Sequence, residues 1–213
     1  METVEECLKT EFSRRDEHWE RAFLLALQRA NVMVTSPEPR QGPDRWPYLF
    51  VSTAPNKDSE PLANVLGWLS TRGIGLAVNA EQATPDFVLS YGMVWNCRER
   101  GEFLSASPQV DTGPIEIPAA KQVMVGVPST AYLPEYVRTI IRQFLKDQGV
   151  SQAKVLMADF EGKGFDLCFS IESLNSPPEA EHSGIAEALS WFLPAHYSIA
   201  LVSEKLLGGF VTL

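Results

Sequence analysis

The chain has 213 residues, of which 45% are hydrophobic and 21% are charged, a composition typical of a globular protein with one large domain or two small ones. Its formal net charge of −9 is shared by both halves, and an acidic protein repels nucleic-acid phosphates and anionic lipid headgroups. Nucleic acids and membrane surfaces are therefore not expected as partners. The acidic N-terminus carries no apolar run, so we expect no signal peptide and a cytoplasmic protein.

The first predicted element is a helix from Val4 to Ala30, because apolar residues recur there at helical spacing. Charged residues occupy its other faces. We expect this helix to dock on the core of its own chain, since a broad apolar stripe is ordinary for a globular helix. The alternative is a helix that binds a partner or dimerises.

A proline-rich loop from Pro37 to Pro47 separates this helix from the remainder of the first half. The pattern that follows predicts a β-α-β-β arrangement, with a strand at 48–52, a helix capped by Asp58 or Ser59 and ending at Gly73, and strands at 74–78 and 87–96. Three prolines between Ser105 and Pro118 then mark a linker. The expected domains are residues 1–118 and residues 119–213.

The second half has a pattern of strand, helix, strand, strand, helix and strand. The first of these helices is expected between Pro134 and Gly149, because proline suits the first helical position and glycine the left-handed end. The second begins near Pro177 or Ser183 and ends before Pro194. The predicted strands are 121–127, 154–160, 165–172 and 197–202. This order predicts an α+β protein whose second half is a ferredoxin-like β-α-β-β-α-β sandwich.

A ferredoxin-like sandwich leaves one face of its sheet without helices, and that face is predicted to carry Met124, Asp166, Cys168 and Ser170. A methionine and a cysteine seldom lie at the centre of a fully solvated face. We therefore expect a cover, supplied either by the first half of the chain or by a partner. Trp46, beside the proline-rich loop, is a further candidate for a partner surface.

The two halves share one local pattern, in which a helix entered by proline and closed by glycine precedes an apolar strand. Pro61 and Gly73 bound this helix in the first half, and Pro134 and Gly149 bound it in the second. An ancient duplication and two independent arrangements both fit this parallel.

Three short stretches of the second half resemble a known bacterial family. They are Val125-Gly126-Val127-Pro128-Ser129, Leu133-Pro134-Glu135 at the start of an amphipathic helix, and Trp191-Phe192-Leu193-Pro194 before the final strand. This pattern resembles the C-terminal region of the SseB-like proteins, which are named for enhanced serine sensitivity. The resemblance implies a bacterial cytosolic protein and carries over no catalytic residue.

Motifs that would indicate catalysis or cofactor binding do not occur in the sequence. It has no phosphate-binding loop, serine-hydrolase elbow, dinucleotide fingerprint or zinc-protease motif. The histidines, His18, His182 and His196, lie far apart, so no metal site is expected. Three scattered cysteines predict free thiols in a reducing compartment. No catalytic residue, cofactor or metal is therefore expected.

Two residues remain candidates for chemistry. Cys97 lies beside two arginines, which would lower the pKa of a thiol, although a cysteine at the end of a strand is the simpler interpretation. His196 is either a histidine in a surface turn or a base near Asp159 or Cys168.

The preferred hypothesis is a non-catalytic cytosolic protein that binds a protein partner or a small effector. The first alternative is a small enzyme with an unrecognised active site. The second is an accessory protein of a secretion or toxin system, such as an immunity protein or a chaperone, whose acidic surface meets a basic partner. Self-association is left open.

Overall fold

A computed structural model describes residues 2–81, 84–105, 123–160, 162 and 164–213 of the chain. Contacts within the chain divide it into unit 1, Met1–Ser105, and unit 2, Ala106–Leu213. The predicted boundary at residue 118, and the predicted linker after Ser105, lie outside the described residues. The protein is a mixed α+β protein with one mixed sheet in each unit, so the predicted class is confirmed at this level.

Unit 1 is a mixed sheet with helices packed around it. Its elements are α1 (Val4–Leu8), a 3-10 turn (Phe12–Arg14), α2 (Glu17–Leu27), β1 (Asn31–Val34), β2 (Arg40–Gln41), β3 (Pro47–Ser52), β4 (Glu60–Pro61), α3 (Leu62–Ser70), β5 (Gly75–Val78), β6 (Phe87–Leu89) and α4 (Tyr91–Arg100). The strand order is β4-β1-β3-β5-β6, and β2 pairs with β3. Strands β3 and β5 run parallel and are connected through α3, whereas the other pairs are antiparallel.

The helix predicted from Val4 to Ala30 is interrupted, and side-chain capping explains where. Asp16 accepts a hydrogen bond from the backbone N–H of Trp19 at 2.9 Å and so starts a new helix, α2. Thr3 and Glu6 form a capping box at the start of α1. Both helices contribute buried side chains to the hydrophobic core of unit 1, which confirms the expected docking.

The strand predicted at 87–96 is wrong beyond Leu89, where β6 ends and α4 follows. Ser90 caps α4, because its hydroxyl accepts a hydrogen bond from the backbone N–H of Met93 at 3.3 Å. The apolar residues after Ser90 recur at helical spacing, although the sequence pattern predicts a strand there. Its largest fully buried side chains are spaced at i, i+3 and i+4: Tyr91, Val94 and Trp95.

The elements of unit 2 are β7 (Met124–Gly126), α5 (Glu135–Asp147), β8 (Lys154–Asp159), β9 (Asp166–Ser170), a 3-10 turn (Glu179–Glu181), α6 (His182–Ser190), β10 (Ile199–Val202) and β11 (Val211–Thr212). Most of the predicted elements are confirmed at this coarse level. Helix α6 begins near the later of its two predicted starts, Ser183, and a 3-10 turn lies just after the earlier one, Pro177.

The strand order of unit 2 does not confirm the ferredoxin-like arrangement. A ferredoxin-like sheet has its first and third strands at the centre, whereas the order here is β10-β9-β8-β11, with β7 also paired to β8. The second and third strands, β8 and β9, are therefore central. The first strand, β7, shares one edge of β8 with the short strand β11, because β7 pairs with residues 157–159 and β11 with residues 154–155.

Apart from the two-residue strands β2 and β4 of unit 1, the two units share the order helix, strand, strand, helix, strand. In unit 1 this series is α2-β1-β3-α3-β5, and in unit 2 it is α5-β8-β9-α6-β10. In each unit the first two strands are antiparallel and the third runs parallel to the second. In this comparison of the two units, α3 corresponds to α6. The local sequence pattern, in which a proline precedes the helix, instead pairs α3 after Pro61 with α5 after Pro134.

Candidate functional site: a cleft at the carboxyl ends of two parallel strands

The parallel strands β3 and β5 end side by side in unit 1, where Val51 pairs with Val78. The segment from Thr53 to Pro55 and the residue Asn79 therefore leave the sheet at the same edge. In sheets with parallel strands, ligands bind outside the carboxyl ends of the strands, since the loops there are free to vary while the strands hold them in place. This edge is the position in unit 1 where a binding site is expected.

Asn79 joins the two loops at this edge. Its backbone φ of 53° lies in the left-handed region, which asparagine tolerates better than most residues. Its side-chain oxygen accepts a hydrogen bond from the Thr53 backbone N–H at 2.8 Å. Its side-chain nitrogen donates to Thr53 Oγ1 and to Asp86 Oδ2, each at 2.9 Å. The side chain of Asn79 thus fixes both loops relative to each other.

Arg15 ties the N-terminal segment to the same edge. Its guanidinium lies 3.1 Å from Asp86 Oδ1 and donates a second hydrogen bond to the Asp86 carbonyl oxygen at 3.2 Å. The two side chains are only 11% and 16% exposed, so solvent screens this ion pair less than a surface pair. The guanidinium also lies over the Trp19 ring, 4.6 Å from its centroid. The segment before α2 is therefore held against the strand ends.

These residues enclose a cleft of about 600 Å³, a volume within the range of small-molecule sites. The cleft carries three carboxylates and one guanidinium. Arg15 pairs with Asp86, but Glu5 and Glu81 have no ion-pair partner within 4.0 Å among the residues that the structure describes. The net charge of the cleft favours a cationic ligand. The lining residues are Glu5, Leu8, Arg15, Ser52, Thr53, Ala54, Pro55, Asn79, Glu81 and Asp86.

The carboxyl ends of the parallel strands of unit 2, β9 and β10, also carry polar residues. Glu204 accepts a hydrogen bond from Ser170 Oγ at 2.6 Å and pairs with Lys154 at 2.9 Å, and these contacts lower the pKa of Glu204. Glu172 accepts hydrogen bonds from the Ser203 hydroxyl and from the Glu204 backbone N–H, which lower its pKa. This network fastens the segment after β10 to the end of β9.

Before it enters the sheet as β11, that segment packs against one face of the unit 2 sheet. Leu207 and Phe210 pack against a buried cluster formed by Leu156, Ala158, Cys168 and Val202. The part of the predicted face around Cys168 is therefore covered from within unit 2.

The partner surface predicted in unit 2 is not a single exposed face. Met124 pairs with Asp159, and Asp166 pairs with Ala158. Because neighbouring residues on a strand point to opposite faces, Met124 lies on the other face of the sheet from Asp166. Met124 is 59% exposed and Asp166 is half-buried.

The other three residues of the predicted partner surface are Cys168, Ser170 and Trp46, and none of them is fully exposed. Cys168 and Ser170 are fully buried, and Ser170 donates its hydroxyl hydrogen bond to Glu204. These two residues therefore offer no accessible side chain to a partner. Trp46 belongs to unit 1 and is half-buried.

The candidates for chemistry also differ from their predictions. Cys97 is buried, and burial raises the pKa of its thiol to about 11, so the effect expected from the arginines does not prevail. The guanidinium of Arg98 donates a hydrogen bond to Ser70 Oγ at 2.7 Å. The ring of His196 packs edge-on against that of Tyr197, with the centroids 4.8 Å apart.

Sequence reasoning did not single out the residues of the unit 1 cleft. A usable signal was present, because Thr53 and Asn79 each follow directly on an apolar predicted strand. What the sequence could not show is that these two strands are parallel neighbours. Arg15 and Asp86 carried no local signal, since they meet only through the fold.

Comparisons with protein-family models, with curated protein sequences and with solved structures found no match to this chain. Within the described ranges, no helix combines the length and the hydropathy needed to cross a membrane. The same part of the chain contains no group of three or more histidine, cysteine or acidic residues arranged to hold a metal ion.

Proposed function

We propose that this protein is a non-catalytic, SseB-like cytosolic protein of a bacterium, and that it binds a small cationic effector in the unit 1 cleft. The observation that carries this proposal is the network around Asn79, which joins the ends of β3 and β5 beside a cleft of about 600 Å³. Such a network holds the cleft open in advance of binding, and preorganisation lowers the cost of ordering a site.

The expected ligand is a small molecule with one or more amine or guanidine groups, because Glu5 and Glu81 supply charges that no described residue neutralises. The serine, threonine and asparagine side chains would add hydrogen bonds that fix its orientation. Arg15 and Asp86 form an ion pair with each other, so they contribute to the shape of the site rather than to its net charge.

Thermal denaturation with a panel of small ligands tests the proposal. Putrescine and agmatine are expected to raise the melting temperature, and the diacid succinate is expected to leave it unchanged. A ligand at a hundred times its Kd stabilises the folded state by about 2.7 kcal/mol. Stabilisation by succinate, or by none of the cations, contradicts the proposal.

A matched set of variants locates the site. Glu5→Gln and Glu81→Gln remove charge from exposed side chains that line the cleft, so they are expected to weaken cation binding. Glu38→Gln removes an exposed charge of unit 1 that does not line the cleft, and it is expected to leave binding intact. Equal weakening by all three variants would indicate a general effect of net charge.

A protein partner is the second candidate, and one observation favours it. The β7 region exposes three large apolar side chains, Met124, Val125 and Val127, at 59%, 49% and 58%. An exposed apolar strand offers backbone and side chains to an added strand of another chain. Val127→Lys is expected to abolish such an association and to leave cation binding unchanged, and partner binding that survives Val127→Lys argues against this surface.

The alternative of an enzyme that uses Cys97 gains no support from its surroundings. A thiol whose pKa is raised to about 11 stays protonated at neutral pH, and the thiolate is the reactive form. The alternative of an immunity protein or a secretion accessory protein is also a protein-binding function, but it places a basic partner on the acidic surface of the chain.

A further inference from the structure

Unit 2 contains a second cleft, of about 580 Å³, that differs in character from the cleft of unit 1. It lies between the end of α5, the segment that precedes α6, and α6 itself. Most of its lining is apolar, and its volume suits a small molecule. The apolar lining residues are Phe144, Leu145, Val150, Leu174, Pro177, Ala180, Ile185, Ala188 and Leu189.

Small side chains leave this cleft open on the α6 side. Gly184 and Ala188 both line it, and a Cβ atom placed on Gly184 would meet no heavy atom within 4 Å. Of the nine residues of α6, Leu189 is the one that is buried. An amphipathic helix normally buries a broader stripe, so α6 leaves apolar surface uncovered toward the cleft.

The opposite wall is held by a tight turn. Asn175 and Ser176 have φ values of 67° and 50°, in the left-handed region, and Pro177 follows them directly. Asn175 donates a side-chain hydrogen bond to the carbonyl oxygen of Gly149, just beyond α5, at 3.2 Å. This bond joins the segment before α6 to the chain just beyond the end of α5.

The charge of the cleft decides what kind of ligand fits. Glu181 is the one charged side chain among the described lining residues, and the other polar side chains, Gln148, Asn175 and Ser183, are neutral. An apolar body would bury hydrocarbon against the walls, and a positive head group would meet Glu181. An acid of the same size would place its carboxylate beside Glu181 in a protein of net charge −9.

We propose that the unit 2 cleft binds a small amphiphilic amine, with its hydrocarbon body between α5 and α6 and its ammonium group at Glu181. This site is independent of the effector site proposed in unit 1. It requires a ligand with an apolar body, whereas the unit 1 cleft is lined mostly by polar groups.

Calorimetric titration of the full chain with octylamine, octanoate and butylamine tests this proposal. Octylamine is expected to bind at least tenfold more tightly than octanoate, because only its head group complements Glu181. Butylamine is expected to bind more weakly than octylamine, because it buries less hydrocarbon. Octanoate that binds as tightly as octylamine, or butylamine that binds as tightly, overturns the proposal.

Two tryptophan substitutions on the same helix show where octylamine binds. Ala188→Trp fills the cleft and is expected to reduce octylamine affinity at least tenfold. Ala186→Trp is the matched control, because Ala186 is also half-exposed on α6 but does not line the cleft. Octylamine affinity that is unchanged in Ala188→Trp, or equally reduced in both variants, overturns the proposal.

Two glutamine substitutions separate this site from that of unit 1. Glu181→Gln is expected to abolish the preference for octylamine over octanoate while both still bind. Glu81→Gln is expected to leave octylamine binding unchanged. Octylamine binding that is lost in Glu81→Gln and retained in Ala188→Trp would place the amine in the unit 1 cleft and overturn the proposal for unit 2.

Discussion

The thiols show how burial sets the chemistry of single residues. Cys7, Cys97 and Cys168 are buried free thiols. Their scattered positions in the sequence predicted that they would be free. Burial raises the pKa of Cys168 to about 12, and the neighbouring carboxylate of Asp166 adds to the effect. Leu207 and Phe210 pack against the buried cluster that contains Cys168.

We expect none of the three thiols to react with an aromatic disulfide reagent in the native protein at about pH 8, since thiolate formation follows pKa and exposure. All three are expected to react after unfolding in urea. The measurement is the thiol count before and after unfolding. Rapid reaction of one native thiol would contradict the burial described for it.

The raised pKa of Cys168 also predicts a dependence of stability on pH. In the unfolded chain this thiol has its ordinary pKa of 9.0, so the unfolded state ionises first as the pH rises. The stability that the protonated thiol contributes is complete below pH 9 and is lost toward pH 12. Cys168→Ala should flatten the fall in unfolding free energy above pH 9, by at most about 1.4 kcal/mol per pH unit. Equal slopes for the two proteins would contradict this.

The alternation along β9 can be tested at two adjacent residues. Leu167 is fully buried, whereas Asp166 is half-buried at the start of the strand. Leu167→Asp should lower the free energy of unfolding by more than about 3 kcal/mol, because it buries an unpaired charge. Asp166→Leu should change it by less than about 1 kcal/mol. Urea unfolding measures both, and equal losses would show that the two side chains share one environment.

At the scale of elements, helix ends were predictable where local signals define them. α5 begins directly after Pro134 and ends two residues before Gly149, whose φ is 86°. The sequence pattern extends β6 too far, because Val94 and Trp95 also favour strands, whereas the Ser90 cap and the helical spacing of the buried side chains favour the helix. The two-residue strand β11 is too short to show any alternation in the sequence.

The capping of α4 provides a test at this scale. Ser90→Ala removes the acceptor for the Met93 backbone N–H and should lower the free energy of unfolding by about 1 kcal/mol. Ser90→Asp keeps an acceptor at the same position and should preserve stability. Urea unfolding of the two variants makes the comparison. Equal losses in both would show that the side chain of Ser90 contributes by another route than capping.

At the scale of the whole molecule, the sequence indicated the mixed α+β class, but not the strand order or the site. Strand order depends on which distant segments pair, and no local pattern encodes that β7 and β11 share one edge of β8. The unit 1 cleft exists because β3 and β5 are parallel neighbours and because Arg15 reaches Asp86 across the fold. Neither contact has a signature at either residue alone.

A fragment that begins near Ala119 tests the origin of the cover in unit 2. Because Leu207 and Phe210 cover the buried cluster from within this unit, the amide protons of β8 and β9 should keep their protection from hydrogen exchange in the fragment. Exchange is compared with that of the full chain. Loss of protection in β8 and β9 would mean that the first unit contributes to the cover.

The division into two units also determines what optical spectroscopy can see. Four of the five tryptophans, at positions 19, 46, 68 and 95, belong to unit 1, and Trp191 alone belongs to unit 2. Indole emission therefore follows mainly the melting of unit 1, whereas far-ultraviolet circular dichroism follows the helices of both units. In Trp191→Phe the indole emission comes from unit 1 alone. Any part of the circular-dichroism transition that has no counterpart in the emission transition then reports the denaturation of unit 2, without an attached dye.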